Sequence, residues 1–292
     1  MIHELPLERR VLHGHFSRSR EPVLTIAPGD SVRFAVPSSD WRVGDGSPFE
    51  PRSSPEDDGH ALAGPIEVRG AREGSTLAVR IDEVVPASWG ETLSAWPHRI
   101  TWQLDGSVGR ASTGQVVPLR PFLGVLGMPP VGHGIHSTVP PRPQGGNIDC
   151  KELVAGTTLF LPIPVDGALF SAGDGHAAQG DGEVSGTAIE CPVRAQVTLD
   201  LRDDLQLDWP CARIDGAWLT FGFDEHLGRA AKKAVDGMIA LMERERGLAP
   251  DDALALASVV VDLRVTQLVN GARGVHAILR DDAITFAAQA RM

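Results

Sequence analysis

A glycine-rich stretch in the middle of the chain concentrates the side chains that could carry out chemistry. It runs from Gly145 to Cys191. Its polar side chains are Asn147, Asp149, Asp174, His176, Asp181 and Glu183. Glycine allows a backbone to approach a ligand closely, and carboxylates with a histidine beside such loops can bind a metal ion, transfer protons, or do both. We therefore place the candidate active site in this stretch.

The densest part of the stretch reads GDGHAAQGDGE, residues 173–183. It is not an EF-hand, because Ala178 and Gly180 interrupt the alternating oxygen ligands that such a calcium loop needs. It also lacks the GK[ST] sequence of a phosphate-binding loop. We interpret it as a flexible loop that presents its two aspartates, its histidine and its glutamate to a ligand.

A hydrolytic zinc site needs about three nitrogen or oxygen ligands and an open position for water. The loop at 173–183 supplies some of these, and His60, His136 or Asp149 would complete the set. On an extended segment, Asn147 and Asp149 would point the same way; the alternative is a turn in which both side chains bond their own backbone. No GxSxG elbow is present, which argues against a serine hydrolase.

The elements around this stretch are predicted to be mainly β-strands. The 32 glycines and 22 prolines indicate many turns. Alternation predicts strands over 23–26, 31–36, 76–85, 159–164, 167–171, 194–201 and 216–222. The first two of these are expected to form a hairpin around Pro28-Gly29-Asp30. Trp41 to Gly59 is predicted to be a long loop, and residues 86–146, rich in proline, are predicted to be mostly irregular.

Helical periodicity appears only near the C-terminus, at about 224–260. Asp224 is expected to cap a helix that starts at Glu225, and Pro250 suits the first turn of a second helix. Residues 261–279 return to strand-like alternation around Asn270-Gly271. No convincing boundary divides the chain, so we expect a single domain over 1–292 with the helical segment as an appendage.

Composition limits the classes of partner and compartment. The formal net charge of −11 argues against nucleic acid and anionic membranes, both of which need a basic protein surface. No apolar run reaches the length of a membrane-spanning helix, and the N-terminal MIHELPLERR lacks the apolar region of a signal peptide. The three cysteines show no CxxC spacing, which indicates neither a disulfide framework nor a cysteine zinc site. We expect a cytoplasmic protein.

The chain resembles the acetamidase/formamidase family of hydrolases. The matching strings are GHALAGPIEVRGAREGSTLAVRI at 59–81, HSTVPPRPQGGN at 136–147, GGNIDCKEL at 145–153 and LFLPIPVDGALFSAGDGHAAQGDGEVSGTAIEC at 159–191. The resemblance implies a jelly-roll-like β-sandwich, hydrolysis of short aliphatic amides such as formamide or acetamide, a homo-oligomer (dimer or higher) and a divalent metal, Zn or Ca. The residues carried over are His60, His136, Asn147, Asp149, Asp174, His176 and Glu183.

A mechanism follows as a hypothesis from these residues. His60, Asp149 and His176 are expected to hold the metal, which polarises the amide carbonyl and lowers the pKa of a bound water. Glu183 would take the water proton and pass it to the leaving nitrogen, while Asn147 holds the oxyanion. Asp174 and His136 complete the predicted catalytic set.

Two other functions fit the same sequence. The chain could be a non-catalytic β-sandwich in which acidic loops bind a metal and a small ligand. It could also hydrolyse a larger or cyclic amide, with Trp89, Trp96 and Trp102 lining the pocket. The simpler interpretation of these tryptophans is that they pack within a loop-rich lid.

Overall fold

The chain folds mainly into β-strands, as predicted. A computed structural model describes residues 1–94 and 97–285. The first strands are β1 Ile2–Leu5, β2 Leu12–His13, β3 His15–Phe16, β4 Leu24–Ile26, β5 Asp30–Val36, β6 Leu62–Val68, β7 Thr76–Pro86, β8 Trp89–Leu93, β9 Arg99–Asp105, β10 Val108–Ala111 and β11 Val116–Pro118. They are followed by β12 Phe122–Gly127, β13 His136–Ser137, β14 Gly145–Asn147, β15 Thr158–Pro162, β16 Phe170–His176, β17 Val193–Arg202, β18 Cys211–Ile214 and β19 Ala217–Asp224. Helices α1 Leu227–Arg246 and α2 Pro250–Val260 precede β20 Val261–Gln267 and β21 Arg273–Arg280.

Two sheets form a sandwich around one core. The larger sheet has the order β1-β5-β17-β7-β15-β18-β19-β21-β20, and the smaller has the order β14-β12-β16-β6-β2, with β4 parallel to β6. Alternate side chains of each sheet point inward, as in β17, where Val197 and Leu199 are fully buried. They share a single apolar cluster with Phe170 of β16 and Ile66 of β6. The predicted β-sandwich with an appended helical segment is confirmed.

The helical segment covers one face of the larger sheet near β19 and β21. Buried positions of α1 recur every three or four residues, at Ala230, Ala234, Met238 and Leu241. Gly222 of β19 allows the close approach, because a side chain there would collide with the carbonyl of Ala230. The helices thereby complete the core at this end of the larger sheet.

The first helix begins later than predicted. It starts at Leu227 rather than at Glu225, and the carboxylate of Asp224 accepts a hydrogen bond from the backbone N–H of His226 at 3.0 Å. The same side chain also binds Lys233 at 2.9 Å. The second helix runs from Pro250 to Val260, as predicted.

The predicted hairpin over residues 23–36 is wrong, although both strands exist. Strand β4 pairs with β6 in the smaller sheet, whereas β5 pairs with β1 and β17 in the larger one. Gly29, with φ of 82°, turns the chain between them. The alternation predicted each strand correctly but carried no information about which sheet it joins.

Residues 86–146 are also more regular than predicted. Strands β8 to β11 form an antiparallel sheet in the order β11-β10-β9-β8. Pro118 lies at the end of the edge strand β11, where a missing N–H costs no ladder hydrogen bond. Proline content alone therefore overstated the irregularity of this region. Neither helix of the described residues has the length and apolarity needed to cross a membrane.

Candidate functional site

A small cavity of about 110 Å³ gathers most of the predicted residues. It is lined by Ser39, His60, Asn147, Asp149, Asp174, His176, Glu183, Gly186, Thr187, Glu190 and Asn270. These residues come from the ends of β14 and β16 and from several loops. Six of the seven residues named from the sequence are therefore brought together, and His136 is not.

Strand β16 places two of these side chains. The predicted flexible loop is wrong in its first part, because the strand continues through Asp174 to His176. Gly175 makes this possible: a side chain there would lie 2.6 Å from the carbonyl oxygen of Cys191. Asp174, with φ of 61°, interrupts the regular alternation of the strand, but it and His176 both line the cavity and both are buried.

His176 lies at the centre of the cavity. Its Nε2 is 3.2 Å from Glu190 Oε1 and 3.5 Å from Asp174 Oδ1. Its Nδ1 donates a hydrogen bond to Gln179 Oε1 at 2.9 Å, which leaves Nε2 directed at the carboxylates. Burial lowers the pKa of His176, but Glu190 and Asp174 outweigh burial and raise it well above its ordinary value. The carboxylates therefore favour a positive charge here, whether a proton or a metal ion supplies it.

Two further carboxyl groups of the cavity have raised pKa values. Burial, followed by neighbouring carboxylates, raises the pKa of Glu183 to about 9. Burial raises the pKa of Asp149 to about 7, although His176 opposes this shift. Asp174 behaves differently: burial opposes its ionisation, but His60 and His176 hold its pKa below its ordinary value. The cavity thus keeps acids of different strength side by side, as sites of proton transfer require.

Several buried oxygens in the cavity have no hydrogen-bond partner. They are Asn147 Oδ1, Asp149 Oδ1, Asp174 Oδ1 and Glu183 Oε2. A buried acceptor without a donor costs free energy, so such a group calls for a ligand. Here the missing partner must be positive or a hydrogen-bond donor.

The residues present fit a divalent metal. Two overlapping groups have ligand atoms within 4.8 Å of one another: Asp149, His176 and Glu183, and Asp174, His176 and Glu190. Imidazole nitrogen mixed with carboxylate oxygen suits zinc and other transition metals better than calcium, which takes oxygen ligands. Among the described residues, His60 falls outside both groups.

His60 nevertheless has a fixed orientation on the cavity wall. Its backbone N–H donates to Thr138 Oγ1 at 3.0 Å, and its ring Nδ1 lies 2.8 Å from the same oxygen. Because that hydroxyl already accepts one hydrogen bond, its own proton can go to Nδ1. In the neutral ring, Nε2 then carries the proton and can donate it to a ligand.

Strand β12 forms the back of the cavity. Gly124 lies so close to the carboxylates of Asp149 and Asp174 that any side chain would collide with both, and its Cβ would lie 3.0 Å from His176 Cε1. The ring of Phe122 packs edge-on against the imidazole of His176, with centroids 5.0 Å apart. Backbone and ring together fix the position of the polar groups.

Sequence reasoning missed five residues of the cavity: Ser39, Gly186, Thr187, Glu190 and Asn270. Glu190 lies in the same glycine-rich stretch, and its proximity to Asp174 and His176 in the chain was the signal that could have identified it. Ser39 donates to Glu190 Oε2 at 2.9 Å. Asn270 donates to Asp149 Oδ2, but the sequence around it indicated only a turn.

His136 lies elsewhere. It is on β13, which pairs with β3, and its Nε2 donates to the carbonyl of Gly132 at 2.9 Å. The pairing with β3 directs it away from the cavity. Of the tryptophans considered for a pocket, Trp89 donates to the carbonyl of Val43 at 3.1 Å, and Trp96 lies outside the described residues.

The long loop between Ser39 and His60 is closed at its base. The indole of Trp41 is buried, and its Nε1 donates to the carbonyl of Gly59 at 2.8 Å. Further along, the buried carboxylate of Asp57 is paired with Arg9. These contacts hold the two ends of the loop, and with them two residues of the cavity wall, in fixed positions.

Comparisons with known proteins find relatives in one family. A model of the Acetamidase/Formamidase family matches residues 116–213. An acetamidase of Mycolicibacterium smegmatis is 35% identical over 82 residues, which are 28% of this chain but 18% of that protein. The matched segment therefore spans less than a fifth of that relative's length.

Solved structures match over nearly the whole chain. An acetamidase from Bacillus halodurans has a TM-score of 0.84 at 27% identity and covers 94% of this chain and 97% of its own. An acetamidase from Yersinia enterocolitica has a TM-score of 0.86 at 25% identity and covers 98% and 94%. The resemblance to the acetamidase/formamidase family is confirmed.

Proposed function

We propose that this chain is an amidase that hydrolyses short linear carboxylic amides to a carboxylate and ammonia. The observation that carries the proposal is the buried group around His176, because it lies within the matched residues 116–213 and in a cavity of about 110 Å³. At roughly 30 Å³ per water molecule, that space suits a substrate of a few heavy atoms. The acetamidase neighbours support the same conclusion.

The chemistry needs a base for the attacking water and an acid for the leaving nitrogen, because an amide anion is a very poor leaving group. Glu183 can supply the acid, because its pKa of about 9 keeps it protonated at neutral pH. Asp149, with a pKa of about 7, is partly ionised at neutral pH and can take the proton of the attacking water.

A divalent metal would be held by Asp174, His176 and Glu190, and when bound it would polarise the amide carbonyl and acidify a bound water. This assignment leaves Asp149 and Glu183 to handle protons, so Asp149 moves from the ligand set expected from the sequence. His60 would donate from Nε2 to the developing oxyanion. Asn147 would orient the substrate through its amide group.

The test is ammonia release from formamide and acetamide by the purified full chain with zinc added. We expect Glu183→Gln and His176→Ala each to lower activity by at least about 100-fold, since Glu183 would supply the proton for the leaving nitrogen and His176 would hold the metal. Glu67→Gln is the matched control, because Glu67 is half-buried on β6 and lies outside the cavity. Full activity in both cavity variants would refute the mechanism.

We also propose that the protein is a homo-oligomer and that its helical segment forms the subunit contact. Exposed apolar side chains lie on α2 and the adjoining edge strand β20: Leu254, Val259 and Leu263. An unpaired edge strand flanked by apolar residues is a surface that a second copy can cover. The three cysteines are free and buried, which supports the proposed cytoplasmic location.

A further inference from the structure

A second pocket, here called the side pocket, adjoins the catalytic cavity. It measures about 380 Å³, and Glu183 and Thr187 line both spaces. Its apolar wall consists of Trp102, Val117, Ala178, Val184 and Ile189. The two spaces therefore border on the same two residues, one of which is Glu183.

Several polar atoms in the wall of the side pocket already have hydrogen-bond or ion-pair partners. Trp102 Nε1 donates to Thr92 Oγ1 at 3.0 Å, and Thr92 Oγ1 donates to the carbonyl of Ala188 at 2.7 Å. At the rim, Asp181 is paired with Lys151 at 3.0 Å. The wall thus presents carbon to its occupant and offers few free hydrogen-bonding groups, as apolar ligand pockets do.

Val184 is one of the most exposed apolar side chains among the described residues. It follows Glu183 directly and is 81% exposed. An apolar side chain at that exposure gains nothing from folding, but it would be covered by a ligand group that enters the side pocket. It therefore marks the side of Glu183 on which an apolar substituent would lie.

The catalytic cavity and the side pocket differ in the size of the group that each can hold. The catalytic cavity suits the amide group itself. A dry cavity of about 150 Å³ already accommodates benzene, so the side pocket has room for a branched or aromatic substituent. Formamide and acetamide would leave it filled with water.

Building on the proposed amidase function, we propose that the side pocket binds the acyl substituent and that the preferred substrates are primary amides with a branched or aromatic acyl group. Water adds to the carbonyl carbon of R–CO–NH₂, the C–N bond breaks, and the nitrogen leaves as ammonia with a proton passed by Glu183. The substituent R is not changed by the reaction. It contributes binding energy through the apolar wall.

The experiment compares kcat/KM for formamide, acetamide, isobutyramide and benzamide, measured by ammonia release. We expect kcat/KM to rise at least about 10-fold from acetamide to isobutyramide, because each added carbon is buried in an apolar pocket. Val184→Glu should lower the ratio of isobutyramide to formamide activity by at least about 10-fold. Val116→Glu is the matched control, because Val116 is also an exposed valine but precedes Val117 on the opposite side of β11.

Each outcome decides one of the two proposals. Hydrolysis of formamide and acetamide with kcat/KM falling as the acyl group grows would overturn the side pocket and leave the amidase function intact. Equal ratios in the Val184→Glu and Val116→Glu variants would also overturn it. If no amide is hydrolysed, the proposed amidase function is refuted, and binding of benzamide is then measured by titration. Saturable binding that is weakened by Val184→Glu but not by Val116→Glu would support the side pocket as an acyl-binding site. No binding, or binding that Val184→Glu leaves unchanged, would refute it.

Discussion

Asn270 donates a side-chain hydrogen bond to Asp149 Oδ2, although 121 residues separate the two in the chain. The backbone N–H of Asn270 is itself bonded to Gln267 Oε1 at 3.1 Å, which fixes the turn between β20 and β21. The segment after the helices therefore supplies part of the cavity. It leaves Asp149 Oδ1 free to face the ligand.

Asn270→Ala should lower kcat/KM for the best amide by roughly 10- to 100-fold, the usual effect of losing a group that orients a functional side chain. The cause is loss of orientation at Asp149, so thermal stability should change little. Val269→Ala, in the same turn and partly exposed, should leave activity intact. Equal activity in both variants would show that the hydrogen bond to Asp149 has no functional role.

Gly124→Ala should abolish most activity. The added methyl would press against Asp149 and Asp174 and displace the carboxylates, and a displacement of about 1 Å can cost about 100-fold in rate. Gly44→Ala is the control, because nothing lies within 4 Å of a Cβ at that position. Circular dichroism and activity measured on the same samples distinguish loss of the site from loss of the fold.

Glu183→Gln should stabilise the metal-free fold while it removes activity. The folded-state pKa of Glu183, about 9, lies above its ordinary value of 4.5. Ionisation above pH 4.5 therefore favours the unfolded chain, and stability is lost as pH rises toward 9. At about 1.4 kcal/mol per pH unit above 4.5, the variant, which does not ionise, should gain up to about 5 kcal/mol at pH 8 and less than about 1 kcal/mol at pH 5.

Urea unfolding at the two pH values, with chelator present, measures this effect. Glu67→Gln again provides the comparison, since it removes a carboxyl group outside the cavity. A Glu183→Gln variant that is less stable than the parent at pH 8 would contradict the raised pKa.

Val259→Glu should dissociate the proposed oligomer. Val259 is 79% exposed on α2, beside the edge strand β20. A charge buried at an apolar subunit contact is strongly unfavourable. Light scattering on a sizing column should report a smaller particle for this variant but not for Val131→Glu, an exposed valine elsewhere on the surface. A parent chain that is already monomeric would end the proposal.

The sequence predicted those strands and helices whose buried side chains recur at a regular spacing. Strand β17 alternates over most of its length, and α1 repeats its buried positions every three or four residues. The pairing of strands could not be predicted from the sequence. The alternation of β4 and of β5 would be the same whichever sheet each strand joined. Strands β8 to β11 were missed because proline is compatible with edge strands and strand ends, and not only with loops.

The site was predicted where its members are close in sequence. Asp174, His176 and Glu183 fall within eleven residues, and His60 was proposed by its residue type as a ligand that would complete the set. Asn270 and Ser39 could not be predicted from the sequence. They lie at the cavity only because the β20–β21 turn and the Trp41 loop fold back onto it. His136 shows the reverse: it was chosen for its residue type, but strand pairing directs it elsewhere.

The closed base of the Trp41 loop has a consequence for protein engineering. Since the bond from Trp41 to Gly59 ties the two ends together, the tip around the exposed Asp45 is insulated from Ser39 and His60. Lengthening a loop whose ends are already joined adds little conformational entropy cost. An affinity tag or fluorescent module inserted at that tip would leave the catalytic cavity undisturbed.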